Sequence, residues 1–191
     1  MLLTEKIEYK KLDRTTTPTG RMYVGDDNVP VPSVTTVLDK TADKTALIAW
    51  RKRVGDAEAT RVSNEAAGLG TKVHNALENY ILGEEWEPKG NNFVSILARD
   101  MTNLMINEGF KDVDEVWGTE VGLIAKGLYA GTTDCVGMHN GQESIIDFKT
   151  SKKIKPTKWV QDYFLQCCAY AMAHNEMYGT NIRKGVILMV S

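Results

Sequence analysis

The chain has 191 residues, 42% of them hydrophobic, which suits one domain with a substantial core. A net charge of −2 excludes a uniformly basic nucleic-acid coat, so contact with an acidic partner must rest on local clusters of charge. The three cysteines, Cys135, Cys167 and Cys168, are odd in number and lack CxxC spacing, which argues against a disulfide scaffold or a zinc site and for a reducing compartment.

No run approaches the roughly 18 apolar residues of a membrane span. The N-terminal MLLTEKIEYKKLDR mixes acids with bases and has no signal-peptide core. The chain therefore reads as soluble, intracellular and not secreted, with no membrane partner.

In chain order, residues 21–31 predict a strand or hairpin tip, with Gly25-Asp26-Asp27-Asn28 as turn chemistry. Pro32-Ser33 reads as a helix entry, followed by helix over 45–67. Gly68-Leu69-Gly70 marks a break or a point of tight packing. It leads into TKVHNALENYIL, where Val73, Leu77, Tyr80 and Ile81 keep a helical period. Residues 93–106 predict another amphipathic helix. From Glu115 the period changes, and 115–130 reads as one long strand.

The stretch GTTDCVGMHNGQESIIDFKTSKK, residues 131–153, reads as a hairpin turning at Asn140-Gly141. Counting outward pairs His139 with Gln142, Val136 with Ile145, and Asp134 with Asp147. Directly opposed residues have Cβ atoms about 5 Å apart, where like charges repel. Side chains alternate along a strand, so Asp147 and Lys149 share a face while Phe148 points the other way. A solvated salt-bridge cluster is one reading. Ile145 on the same face speaks against a simply wet surface, and two opposed carboxylates in a partly apolar setting call for a cation. Mg²⁺ is commonly held by one or two carboxylates together with substrate phosphate oxygens.

Residues 157–178 predict a helix and GVILMVS a final strand. Trp159, Tyr163, Gln166 and Tyr170 fall on one helical stripe, with Val160, Phe164, Cys167 and Ala171 beside it as a core-facing stripe. A Trp/Tyr stripe serves packing as readily as ligand contact, so Trp159 and Tyr163 stay unassigned. The order strand, strand, strand, helix, strand behind a helical lead-in indicates an α/β or α+β core. The chain is expected to form a single domain over 1–191, with a mainly helical lead-in over 1–110 and an αβ core over 111–191 that carries the site.

Asp134 with Asp147-Phe148-Lys149 resembles the signature of the PD-(D/E)XK nucleases. Further elements sharpen the resemblance. Gly70-Thr71-Lys72-Val73-His74 resembles the GxxxH helix motif of the RecB-like branch, Glu120 its upstream glutamate, and Gln166-Cys167-Cys168-Ala169-Tyr170 its QxxxY helix. Pro32-Ser33-Val34-Thr35-Thr36-Val37-Leu38, with Trp50 downstream, looks like the lead-in of phage exonucleases and of the mitochondrial genome maintenance exonuclease branch. The resemblance spans 21–190 and implies a restriction-endonuclease-like mixed central sheet flanked by helices, with a helical N-terminal elaboration.

It also implies a metal-dependent exonuclease acting on DNA, single-stranded or with a free end, in replication, recombination or repair. Location in the cytoplasm of a bacterial or phage-infected cell, and a recombination or replication partner protein, fit the same picture. Alternatives are a structure-selective endonuclease and a catalytically silent DNA-binding module. By the resemblance one or two Mg²⁺ or Mn²⁺ ions are held by His74, Asp134, Asp147 and the Phe148 backbone carbonyl. Lys149 is the catalytic lysine, and Glu120 assists the metal and the chemistry, with Glu115 a nearby competitor for that role. Glu78, one turn after His74, reads either as support for the site or as an ordinary helix glutamate. Gln166 and Tyr170 are assigned to DNA, together with Lys152, Lys153 and Lys155 of the lysine-rich run after the site and Arg51 and Arg53 of the lead-in. Three cysteines cannot provide the four ligands of the iron–sulphur relatives, and without GxxxxGK[ST] no bound nucleotide is expected.

Overall fold

A computed structural model describes residues 3–4 and 6–191; Met1, Leu2 and Glu5, part of the N-terminal stretch read for a signal segment, lie outside the described residues. Strands β1 (Asp13–Thr17), β2 (Gly20–Val24) and β3 (Pro30–Pro32) form a small antiparallel sheet in that order. The expected hairpin is therefore present as β2 and β3, and β1 adds a strand that was not expected. Almost all of β1 is exposed, so it carries no apolar alternation to read. Helix α1 (Val34–Thr41) starts at Ser33, whose Oγ accepts the Thr36 N–H at 3.0 Å.

Helix α2 (Thr45–Val54) ends at Gly55, and α3 then runs unbroken over Asp56–Leu82. Of the two readings of Gly68-Leu69-Gly70, the break does not occur and the tight packing does. A glycine inside a helix costs about 1 kcal/mol against alanine. Gly70 instead gains close packing: a Cβ there would lie 3.3 Å from Thr150 Oγ1. The helix stops at Gly83, which adopts a left-handed φ of 76°. There the Glu84 N–H donates to Asn79 O and the Gly83 N–H to Tyr80 O, a Schellman closure. Helix α4 (Phe93–Glu108) is capped by Asn92, whose Oδ1 accepts the Ser95 N–H at 2.9 Å.

The main sheet contains β4 (Val113–Ala125), β5 (Tyr129–His139), β6 (Gln142–Thr150) and β7 (Lys184–Val190), in that order. The expected long strand over 115–130 is in fact two, because the chain turns at Gly127 (φ 71°) and re-enters the sheet at Tyr129. The Asn140-Gly141 turn forms with both residues at positive φ, 49° and 70°. The two turns make β4, β5 and β6 antiparallel neighbours. Strand β7 lies parallel to β6, which requires a crossover, and α5 (Gln161–Tyr178) supplies it. A short 3₁₀ turn, Thr157–Trp159, precedes α5 in place of the first turn of the expected helix.

Alternation along the strands builds a core on each face of this sheet. Cys135, Ile146 and Phe148 pack with Val73, Leu77 and Ile81 of α3 and Ala98 and Met101 of α4. Val136 and Ile145 pack with Trp117, Leu123 and, from α5, Cys167 and Tyr170. Within the second expected stripe, Phe164 is exposed while Val160, Cys167 and Ala171 are buried. The result is an α/β arrangement with a mixed sheet flanked by helices, compatible with a nuclease fold. Among the described residues no helix is long and apolar enough to cross a membrane.

His174 of α5 is fully buried behind the sheet. Thr180 Oγ1 donates to Asn175 Oδ1, so it accepts from His174 Nδ1 at 2.7 Å, and Nε2 is left to accept the Tyr9 hydroxyl at 3.0 Å. Burial pushes the imidazole pKa down to about 4, against an unfolded value of about 6.5. The unfolded chain then binds the extra proton first, so the stabilising contribution is complete above the unfolded value and is lost as the pH falls toward 4. Relative to His174→Gln, the protein is expected to lose up to about 3 kcal/mol between pH 6.5 and 4. Chemical denaturation of both proteins across that range checks it, and parallel curves would refute it.

Candidate active site

The site forms where the β5–β6 ladder ends. Its last pair is Cys135 with Ile146, and the next residues by count are Asp134 and Asp147. Beyond this point the ladder gives way, and the Phe148 N–H donates to Asp134 Oδ2 at 2.7 Å. On the other side of β5, the pairs Thr119–Cys135 and Val121–Thr133 place Glu120 opposite Asp134. Glu120, Asp134 and Asp147 therefore occupy one row across β4, β5 and β6. Glu120 has a φ of 50°, an uncommon value for a residue with a Cβ inside a strand.

Helix α3 brings His74 to this row. Its Nδ1 lies 3.2 Å from Asp134 Oδ1, and its ring meets Phe148 edge-on, with centroids 6.0 Å apart. Burial alone would lower the His74 pKa, but the hydrogen bond and charge of Asp134 outweigh it and hold the value above the ordinary one. Burial likewise favours a neutral Asp134. His74, Lys149 and the Phe148 N–H prevail and keep its carboxyl below the usual range. The bare backbone of Gly70 eases the approach of α3 to β6, since a Cβ there would crowd Thr150 Oγ1, one turn before His74.

Asp147 is only 1% exposed. Gln166 Nε2 of α5 donates to its Oδ1 at 3.2 Å and also reaches the Tyr170 hydroxyl at 3.3 Å. Its Oδ2 is buried too, and its partner is the Lys149 ammonium, which lies against it as an ion pair. Burial first, and then the Asp134 charge, push the Asp147 carboxyl up to about 6 despite the opposing pull of Lys149. Phe148 turns its side chain into the core, where its ring backs His74, and offers the open side of the site its backbone.

Gln166 and Tyr170, expected to meet DNA, are 9% and 2% exposed and lie behind Asp147 instead. Tyr170 packs so closely on β5 that a Cβ on Gly131 would come within 2.5 Å of its ring. Gln166 is thereby a support for the carboxylate, and Tyr170 a support for Gln166. Glu120 faces an open groove of about 660 Å³ that also holds Glu78 and Arg14. Much of its side chain meets solvent, but the groove wall desolvates the carboxylate, and Asp134 and Glu78 add like charge, so its pKa is raised. Glu115, the competitor, accepts the Trp117 indole N–H instead.

Among the described residues, no three His, Cys, Asp or Glu side chains converge as a ready metal cage. The donors are satisfied in pairs, His74 with Asp134 and Lys149 with Asp147. Lys152 and Lys153 stand exposed in the loop after β6, whereas Lys155 is half-buried and donates to the Tyr163 hydroxyl at 2.8 Å. Arg53 is exposed at the end of α2, and Arg51 beside it is paired with Asp56 at 3.0 Å. Tyr163, unassigned from the sequence, thus sits beside the site. Its only signal was the shared stripe with Gln166.

No family model matches the chain. It is 30% identical to mitochondrial genome maintenance exonuclease 1 of Homo sapiens over 174 residues, covering 83% of this chain and 48% of that protein. The similarity supports an exonuclease-like family. The Xenopus tropicalis protein of the same name is 28% identical over 180 residues, with 85% of this chain and 49% of the relative covered. That of Mus musculus is 26% identical over 170 residues, with 83% and 49% covered. The chain spans about half the length of the curated relatives it matches.

Proposed function

We propose that the chain is a divalent-metal-dependent DNA exonuclease of the PD-(D/E)XK kind, hydrolysing phosphodiester bonds from strand ends with Mg²⁺ or Mn²⁺. The observation that carries this reading is the fork of β5 and β6. It sets Asp134 and Asp147 just past the last ladder pair, Cys135 with Ile146, with Lys149 against one carboxylate and His74 against the other. Similarity to proteins named as exonucleases points the same way.

The donor set fits a hard or borderline cation: two carboxylates, one imidazole and a nearby backbone carbonyl. Asp147 Oδ2 is buried against the Lys149 ammonium, a place already built for positive charge. Asp134, Asp147, His74 and the Phe148 carbonyl would hold the ion, with Glu120 at the end of the row, once the pairs seen here open. A divalent ion at these groups supplies Lewis acidity toward a phosphate oxygen and acidifies water.

The chain's own residues do the rest. Gln166 holds Asp147 in place, and Tyr170 holds Gln166. The Lys149 ammonium orients the attacking water and neutralises charge that builds on the phosphate as the new P–O bond forms and the ester P–O bond breaks. Lys152, Lys153 and Lys155, with Arg53 and Arg51, provide positive charge for the DNA backbone, so binding should weaken steeply with salt.

The deciding assay uses end-labelled linear and circular DNA, single- and double-stranded, with Mg²⁺, Mn²⁺ or EDTA. Metal-dependent loss of linear but not circular DNA is the expected result. Cleavage of circles would replace the exonuclease reading with an endonuclease. Salt-sensitive binding without cleavage under any metal would leave a silent DNA-binding module.

A further inference from the structure

Lysine is a flexible point charge, and its usefulness at a reacting centre depends on what holds the ammonium still. In this site one partner of Lys149 is Asp147. That carboxylate is also a proposed metal ligand, and its Oδ2 would give up the ammonium on taking an ion. A second partner is therefore needed whenever Asp147 turns to an ion.

Tyr163 of α5 provides one. The Lys149 Nζ lies 5.0 Å from the centroid of its ring, within the range of a cation–π contact. The same residue takes a second ammonium: Lys155 Nζ donates to its hydroxyl at 2.8 Å and lies 5.2 Å from the ring centroid. Tyr163 is three residues before Gln166 and so on the same side of α5. One helix thus steadies the Asp147 carboxylate through Gln166 and the Lys149 ammonium through Tyr163. The ring is half-buried and the lysine side chain 19% exposed, so water does not fully screen the contact.

We propose that Tyr163 is a positioning residue for Lys149. Its ring holds the ammonium when Asp147 is drawn to a metal, and the hydroxyl bond to Lys155 is not needed for this. This rests on the nuclease reading above. It differs from a DNA-contacting role for Tyr163, in which the ring would serve substrate affinity rather than the lysine.

The test pairs kinetics with a readout that needs no activity. Tyr163→Phe and Tyr163→Leu are compared with wild type, each also in a Lys149→Ala background, on end-labelled linear DNA with Mg²⁺. In parallel, ¹³C-lysine NMR of the metal-free proteins follows the Lys149 ε-methylene, assigned by its loss in Lys149→Arg. The expected wild-type signal is shifted upfield by the ring. The shift persists in Tyr163→Phe and disappears in Tyr163→Leu. Tyr163→Leu lowers kcat about tenfold with KM unchanged, Tyr163→Phe restores it, and neither substitution matters once Lys149 is alanine.

An unshifted Lys149 in an active wild type would overturn the proposal alone. So would a raised KM with unchanged kcat in Tyr163→Leu, which would assign the ring to DNA, or an equal loss in the Lys149→Ala background, which would mark a general structural defect. A wild type that cleaves nothing would remove the nuclease reading and the role of Tyr163 with it, whatever the NMR shows.

Discussion

Lys149→Ala is expected to lower the rate of DNA cleavage by about 10²–10³-fold, the scale seen when one charge-stabilising donor is removed from an active site. The ammonium lies on the buried Asp147 carboxylate, so the same substitution also strips a nearly inaccessible charge of its partner. Removing one member of a buried pair costs about 3–5 kcal/mol when the survivor stays charged. Asp147 can escape by taking a proton, because its carboxyl is already pushed up to about 6. The loss of stability in Lys149→Ala should therefore be small near pH 5 and grow toward pH 8. Asp147→Asn combined with Lys149→Met removes both charges and should regain stability without regaining activity. Steady-state cleavage and denaturation at the two pH values check the set. Near-wild-type cleavage by a folded Lys149→Ala protein would remove the lysine from the mechanism.

Asp147→Asn carries the second large effect, and its sign is less intuitive: it should abolish metal-dependent cleavage yet stabilise the metal-free protein. The Asp147 carboxyl titrates at about 6 in the fold, mainly because it is buried, and at about 3.9 in an unfolded chain. The folded state thus holds this proton more tightly. Its stabilising contribution is complete below the unfolded value and disappears as the pH rises through 6. Asparagine has no proton to lose, so above pH 7 the variant should exceed the metal-free wild type by about 1–3 kcal/mol, and near pH 4 the two should converge. Unfolding curves in EDTA at pH 4 and pH 8 measure the difference. A variant less stable than wild type at both would show that the Lys149 pair outweighs the burial of its carboxylate.

Much of the scaffold around this site was legible in the residues themselves. The hairpin register followed from Asn140-Gly141 and from alternation, both local properties of the backbone. That Asp147 and Lys149 share a face away from Phe148 followed from the same alternation. The α5 stripe was equally readable as a set of neighbours. What it faced was not, since helical period says which residues lie together and nothing about which surface they meet. Gln166 and Tyr170 looked like polar and aromatic contacts for DNA and are instead a buried support for Asp147. The glycines of α3 read as a break or as tight packing, and only the fold chose the second, by setting Thr150 against Gly70.

The sequence by itself determined the Asn140-Gly141 hairpin, the helical stripes and the order of chemical groups along them, because these depend on backbone geometry and on neighbours within a few residues. Strand β1 and the Gly127 turn left no such local signal. Only the tertiary structure decided which groups meet. His74 and Asp134 lie 3.2 Å apart from opposite ends of the fold's central stretch. Tyr163 reaches Lys149 through a crossover helix that packs back onto the sheet. Such contacts are set by the burial of apolar faces on both sides of the sheet, a non-directional force that local spacing does not encode.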